Sequence, residues 1–345
     1  MIMNAIKIRP NTLDWAKSIG MLCVILGHYV YYFNIPYHVD SLEWKIAHFV
    51  TLFHMPLFFI ISGILFKKKD SIKSELLKIV KTLLIPYFLI SIIDGVIYYI
   101  FFIDEESLNF KHIIQYIIGI FCGGDLYGKV HIYPAGPIWF LYSLFIIKTM
   151  ALCVYNKKTS TIILMILSIL IMFTNKNFLP FKIDSSFSGF FFFMIGFLFK
   201  DYWFKLTNSK ISTNLLLLII STTIIIVLYA IYENMNVHQG FSININYYSP
   251  IPPLFIISGV AGTCMIISIS KILSYLKIQP IYVFSVGMIV PLGFQKIIML
   301  TLYTINPYLQ RTTAVVLTIL ISYIFILMIS KYIPILIGGR GLKQG

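Results

Sequence analysis

Charge is scarce in this chain: Asp, Glu, Lys and Arg make up 12% of its 345 residues, against 59% that are hydrophobic. A soluble domain carries about a quarter charged residues, so a water-soluble globule is excluded. Acidic residues are the scarcest, 13 against 27 basic ones, for a formal net charge of +14. Cysteine is rare too. Cys23, Cys122, Cys153 and Cys264 are scattered, mostly in apolar runs, with no C-x-x-C spacing and no nearby histidine pair. That excludes the usual zinc spacings, so no metal site is expected, and the four read as small buried apolar residues. Internal repeats, low-complexity tracts and an appended soluble domain are also missing.

What fills the chain instead is apolar sequence, with a mean hydropathy of +0.87. A span needs about 20 apolar residues. On that measure the chain is expected to be all-α, a polytopic membrane protein of about ten transmembrane helices in one bundle, forming a single membrane-embedded domain over residues 1–345. The spans are expected near 13–33, 46–66, 79–103, 137–155, 160–175, 187–204, 212–232, 251–272, 281–303 and 313–337. The first follows a short basic start (Lys7, Arg9) and lacks a small-residue cleavage site, so it is expected to remain as an anchor.

Lysines and arginines follow the connections between spans: 19 fall on the side of the N-terminus and 6 on the other, with Lys148 and Lys296 inside spans. Basic connections stay cytoplasmic, so both termini are expected inside, in the cytoplasmic membrane of a bacterium. The cations do not form one folded basic surface, which argues against a nucleic-acid partner; topology and contact with membrane lipid account for them. The longest connection on the opposite side, about 104–136, contains FKHIIQYIIGIFC (Phe110–Cys122), which is apolar but too short to span. It is expected to lie at the interface or to re-enter, and GGDLYGK (Gly123–Lys129) reads as a turn.

Polar residues inside apolar spans are costly and mark function or pairing. LDWAKSIGMLCVILGHY (Leu13–Tyr29) carries Asp14 and Lys17 at its start and His28 well inside. Ten residues separate Lys17 from His28, about 16 Å along a helix axis. FHMPLFFIISG (Phe53–Gly63) runs the other way and places His54 about two turns below the face from which His28 lies about a turn and a half. The two histidines are expected at one depth, although either alone is also accounted for by a hydrogen bond within packed helices.

Lys78 and Lys81 share a helical face at the start of the third span, a suitable grip for phosphates or simply a topology signal. Asp94 lies deeper on the same helix, where it could orient a histidine or a hydroxyl, or pair with Lys148 or Lys296. GPIWFLYSLF (Gly136–Phe145) sets Trp139 and Tyr142 near the opposite interface, where aromatic belts form regardless of function. SGFFFFMIGFLFKD (Ser188–Asp201) is expected to pack against lipid and other helices, its glycines allowing close approach.

In this order and spacing, LDWAKSIGMLCVILGHY, FHMPLFFIISG, a basic segment leading into LLIPY, GPIWFLYSLF and the phenylalanine-rich span resemble acyltransferase family 3 over essentially the whole chain. That family comprises integral membrane acyltransferases that modify sugars and other cell-envelope molecules, and the likeness is closest to its fucose O-acetylase-like branch. The family's first-span motif, a basic residue, ten residues and then histidine, falls on Lys17 and His28. The resemblance implies His28 as general base or transient acyl carrier, with His54, Lys17 and Asp14 as further candidate catalytic residues. The family's paired-arginine motif, proposed to meet acyl-CoA, falls on Lys78 and Lys81; lysines meet phosphate as point charges where arginines would bind in a bidentate fork. Asp94, Trp139 and Tyr142 complete the candidate substrate-binding set. Many relatives carry a serine-led, tyrosine-containing segment ending in histidine, and the corresponding SVGMIVPLGFQ (Ser285–Gln295) has no histidine.

The implied activity is O-acyl transfer, above all O-acetyl transfer, from cytoplasmic acyl-CoA to a hydroxyl of a cell-envelope or exopolysaccharide sugar or a lipid-linked glycan. Acetyl-CoA or another acyl-CoA is then a donor substrate, and no bound cofactor is expected. With no hydrolase-like domain following, transfer would be completed in the membrane or by a partner. A transporter or flippase for an envelope glycan precursor is the alternative, since buried charges and Pro- or Gly-interrupted helices would look similar; the lack of inverted repeats counts against it. A non-catalytic membrane scaffold is the third reading. Nothing in the sequence fixes an oligomeric state.

Overall fold

The structure, a computed structural model, describes residues 11–31, 42–68, 71–101, 110–123, 138–174, 179–235, 241–248 and 251–275, with separate positions between 313 and 337. The expected span at 281–303, with Ser285–Gln295 and Lys296, lies outside the described residues, and so does the side chain of His28. Among the described residues the chain is helical, with one isolated bridge between Ser242 and Tyr247 and no strand. The helices are α1 (Asn11–Tyr31), α2 (Leu42–Thr51), α3 (His54–Ile64), α4 (Ile72–Ile79), α5 (Ile85–Phe101) and α6 (Phe110–Phe121), followed by α7 (Trp139–Cys153), α8 (Lys158–Thr174), α9 (Ile183–Leu198), α10 (Lys200–Thr207), α11 (Ile211–Asn234) and α12 (Pro252–Tyr275). A π-helical turn (Val80–Leu84) joins α4 to α5, and a 3₁₀ turn (Pro334–Ile337) lies near the C-terminus.

The burial pattern is that of a protein solvated by lipid. On α11 the apolar Leu216, Ile219 and Val227 are exposed while Asn214 and Ser221 point inward, the reverse of a helix facing water. By length and composition four described stretches can cross a membrane: Trp44–Ile64, Ile72–Val96, Ile211–Asn234 and Pro252–Tyr275. The first two join helices that break within the span, and α7 and α8, on the expected fourth and fifth spans, are shorter. The chain is a polytopic membrane protein, and its described part meets the length criterion fewer times than the ten spans expected. One expected span is also reshaped: 187–204 is not a single helix but α9 and α10 at 67° to each other. The polar pair Lys200–Asp201 opens α10, and Lys200 Nζ donates to the carbonyl of Phe66 at 2.9 Å. A helix start bearing two charges is better placed at a watery surface than in hydrocarbon, so the chain turns there.

Two prolines shape the breaks. Pro56 has no N–H for the carbonyl of Leu52, four residues back; the helix opens at Leu52–Phe53, and the hydroxyl of Ser258 on α12, 2.9 Å from its own helix's Phe255 carbonyl, lies 3.2 Å from that of Leu52. Pro86 cannot serve the carbonyl of Thr82, and its ring crowds that turn. The turn before it widens into π geometry, with Ile85 N–H reaching back to the carbonyl of Val80, the kind of single π turn that recurs at functional sites.

Glycines set the helix crossings. A Cβ on Gly63 of α3 would collide with the carbonyl of Phe193, and one on Gly196 of α9 would collide with the carbonyl of Ile60. The two helices meet backbone to backbone, the close approach through which helices associate in lipid. α12 packs on α1, α3 and α11, and its Gly262 lies flat against the side chain of Phe53.

The crossings leave two distinct ends. At one, Phe66 packs on Tyr155 and Phe197, with Lys68 over the Tyr155 ring and Lys200 nearby. At the other, the start of α9 meets the segment 241–248: Ser185 donates to the carbonyl of Asn244 at 2.8 Å and Ser188 to Asn246 Oδ1 at 3.0 Å, while Asn246 donates in turn to Ile171 and Thr174 of α8.

Candidate active site

The break at Leu52–Phe53 makes His54 the first residue of α3. Its ring is buried, and Nδ1 lies 2.8 Å from the carbonyl of Val50. A carbonyl only accepts, so Nδ1 carries the proton and Nε2 is the basic nitrogen of the neutral ring. The α1 backbone passes directly beside this histidine: a Cβ built on Gly27 would stand 3.7 Å from His54 Cε1 and 3.9 Å from Thr51 Cγ2. His28 is the next residue of α1. The backbone of α1 thus runs beside the start of α3.

At the other end of α1, Asp14 and Lys17 form an ion pair at 3.2 Å with both side chains largely buried. Asp14 lies in the first helical turn, where the helix dipole favours a carboxylate. Lys17 is thus held by Asp14, not left as an isolated charge.

Further along the chain, α4 and the π turn build a cationic cleft. Ser71 caps α4 by accepting from the Ser74 N–H at 3.2 Å. Lys73, Lys78 and Lys81 then line an open cleft of about 840 Å³ with Ser74, Thr82 and the distant Pro334 and Ile335. Glu75, buried behind them, pairs with Lys78 at 3.6 Å; Lys81 has no carboxylate partner among the described residues. Both candidate phosphate-binding lysines face one space, and the π turn carries Lys81 into it.

The other candidates are dispersed. Asp94 is buried on α5, and among the described residues it has no ion pair, with Lys148 or otherwise. Trp139 is buried against Phe59 and Phe140. Tyr142 packs on Tyr87, and its hydroxyl donates to the carbonyl of Phe121 at 3.0 Å. That bond is one of three that hold α6: Tyr87 donates to the Ile120 carbonyl at 2.7 Å, and Tyr116 of α6 donates to the Ser91 carbonyl at 2.6 Å. The Phe121 carbonyl at the end of α6 is thereby satisfied from α7, and the Ile120 carbonyl, which also accepts the Gly123 N–H at 3.3 Å, gains a second donor from α5. Gly123, at φ +82°, ends the helix in the left-handed region, and burial pushes the neighbouring Cys122 thiol above its ordinary range. The apolar segment Phe110–Cys122 is a short helix clamped by tyrosines to the third and fourth spans.

Two groups escaped the sequence reading. His48, on α2, is buried with Nδ1 3.2 Å from Oε1 of Glu233 at the end of α11, and its ring stacks on Phe241 and abuts Tyr229 and Trp44. A signal was present, because His48 precedes His54 by six residues and Glu233 directly follows the expected span 212–232 on the same side. The second group is the polar start of α9, where Lys182, Asp184, Ser185, Ser186 and Ser188 are all buried: Lys182, Ser185 and Ser188 reach Asn244 and Asn246, Ser186 meets Ser143 of α7, and Asp184 accepts the Leu179 N–H. Burial also drives the Tyr248 phenol well above its ordinary range.

A lipid-solvated helical bundle with a buried histidine at a proline break and a lysine-lined cleft at one end defines a polytopic membrane protein with polar chemistry in its interior. Its family follows from comparison: a model described as an acyltransferase domain, Acyl_transf_3, matches residues 11–330. The chain belongs to acyltransferase family 3 and carries a membrane acyltransferase domain over nearly its whole length. Neither curated proteins nor solved structures give a match to it.

Proposed function

We propose that the protein transfers an acyl group, acetyl above all, from acyl-CoA to a hydroxyl of a cell-envelope or exopolysaccharide sugar or a lipid-linked glycan, as in the fucose O-acetylase-like branch of its family. The observation that carries this reading is the coexistence in one bundle of a lysine-lined cleft on α4 and the π turn and a buried histidine, His54, beside Gly27 of α1, the residue before His28.

In this scheme His28 is the general base or transient acyl carrier, and His54, its tautomer set by the Val50 carbonyl, orients the acceptor. As base, a neutral imidazole takes the proton of the acceptor hydroxyl while the oxygen attacks the thioester carbonyl. The C–S bond breaks, and the departing thiolate takes the proton back from the imidazolium. Atoms and charge balance with a free CoA thiol and an ester as products. The lysine cleft belongs to the cytoplasmic face, with both termini on that side of a bacterial cytoplasmic membrane, in agreement with the 19 to 6 distribution of basic residues.

The test is thioester consumption by the purified protein with a sugar acceptor, wild type against His28→Ala at equal abundance. Loss of turnover in the variant is expected. Unchanged turnover would reduce His28 to a packing residue, and glycan translocation without acyl-CoA would make the protein a transporter instead.

A further inference from the structure

The donor cleft has two chemically different walls. One is the side of α4, the π turn and the start of α5, where Lys73, Lys78 and Lys81 stand beside the apolar Leu77 and Ile85. The other, apolar throughout, comes from the far end of the chain, Pro334 and Ile335. Pro334 cannot continue the preceding helix, so the chain there tightens into a 3₁₀ turn, with Leu336 N–H bonding the carbonyl of Ile333 at 3.1 Å. Leu336 is buried and anchors the turn, which packs on α5, while Ile335 is 47% exposed beside the lysines. A phosphate needs only the first wall. The second gains from an apolar, flat ligand surface placed next to the phosphates.

Resting on the donor reading above, we infer that Pro334 and Ile335 form the platform for the adenine ring of acyl-CoA, with the lysines holding its phosphates. The adenosine end of CoA carries a 3′-phosphate and a 5′-diphosphate on either side of the base's ribose. Seating the base on an apolar turn that shares one cleft with three lysines satisfies both walls at once. The flat face of the base covers exposed apolar surface, and apolar burial is non-directional and needs no matched hydrogen-bond pattern. The volume, about 840 Å³, lies within the range of small-molecule sites, about 300 to 1,000 Å³. The C-terminal turn would then discriminate a nucleotide-bearing donor from a bare acyl-pantetheine, a role outside the histidine chemistry.

Adenosine 3′,5′-bisphosphate, which has the base and phosphates but no thiol arm, is the probe, titrated onto full-length protein in nanodiscs of phosphatidylcholine. Wild type is expected to bind it and to release acetyl-CoA in competition. Pro334→Ala with Ile335→Ala should weaken the probe about tenfold through lost apolar contact, leave binding of acetyl-phosphopantetheine unchanged, and be rescued in part by Ile335→Leu. If the double alanine variant binds the probe as wild type does while Lys78→Gln with Lys81→Gln loses acetyl-CoA, the platform is wrong and the donor cleft stands. If the lysine variant also keeps full affinity for acetyl-CoA, the donor reading itself falls. Lysine-dependent binding of phosphatidylglycerol vesicles without any binding of the bisphosphate would make the cleft a lipid site and overturn the inference.

Discussion

His48 and Glu233 lie 185 residues apart in the chain and meet with His48 Nδ1 3.2 Å from Glu233 Oε1. The contact ties α2 to the end of α11 inside a box formed by Trp44, Tyr229 and Phe241. Removing one partner of a buried hydrogen bond costs about 1 to 3 kcal/mol. Glu233→Ala is expected at the lower end, because the Glu233 side chain is 33% exposed and water replaces part of the loss. Glu233→Gln keeps a neutral acceptor and should cost less than Glu233→Ala. Thermal unfolding of the detergent-solubilised protein checks the order, and equal melting of wild type and both variants would deny the pair any role in stability.

The α3 and α9 contact gives the sharpest packing prediction. Gly63→Ala and Gly196→Ala each set a methyl group against a backbone carbonyl that no side-chain rotation can clear. Overpacking costs about 1 to 3 kcal/mol, occasionally more, and these two should fall at or above that range. Gly20→Ala is the control, since its nearest neighbours are the side chains of Leu57 and Phe58, which can move. Yield of folded monodisperse protein should drop for the first two and hold for the third.

For α6 the expected change is local. Tyr87→Phe and Tyr142→Phe each remove one hydroxyl from a terminal carbonyl of the helix, a loss of about 0.5 to 1.5 kcal/mol apiece. Tyr87 should cost the more, being buried where Tyr142 is half-buried. Hydrogen exchange should quicken over Phe110–Phe121 and leave α12 unaltered; uniform change across the protein would mean the tyrosines support the bundle instead.

Replacing Lys78 and Lys81 together with Gln should raise KM for acyl-CoA several-fold with little change in kcat, as expected for contacts made equally in ground and transition states. Both lysines are exposed at the cleft, so added salt should weaken wild-type donor binding too, with screening over about 10 Å at 0.1 M. Steady-state kinetics on correctly inserted protein at two ionic strengths decides this, and a parallel fall in kcat and abundance would point to topology instead.

Much of the architecture was legible because lipid imposes a one-dimensional rule. An apolar run of sufficient length must pair its own backbone groups, so the helices over 11–31, 211–234 and 252–275 follow from composition alone. Pro56 and Pro86 fall inside the expected spans 46–66 and 79–103, and the breaks there, an opened turn beside Ser258 and a π turn, took forms that depended on what packs alongside. The bend at Lys200 was hidden for the same reason: its compensating acceptor, the Phe66 carbonyl, lies 134 residues away.

The sequence by itself determined the class of protein, the positions of its polar groups within apolar runs and their family order, since these are properties of residue type and spacing. Only the tertiary structure decided which of those groups meet. Partners such as His48 with Glu233, Gly63 with Phe193, and Lys81 with Pro334 and Ile335 are distant in the chain. Helices in lipid choose neighbours by close fit and hydrogen bonds and not by hydrophobicity, which lipid supplies equally on every side.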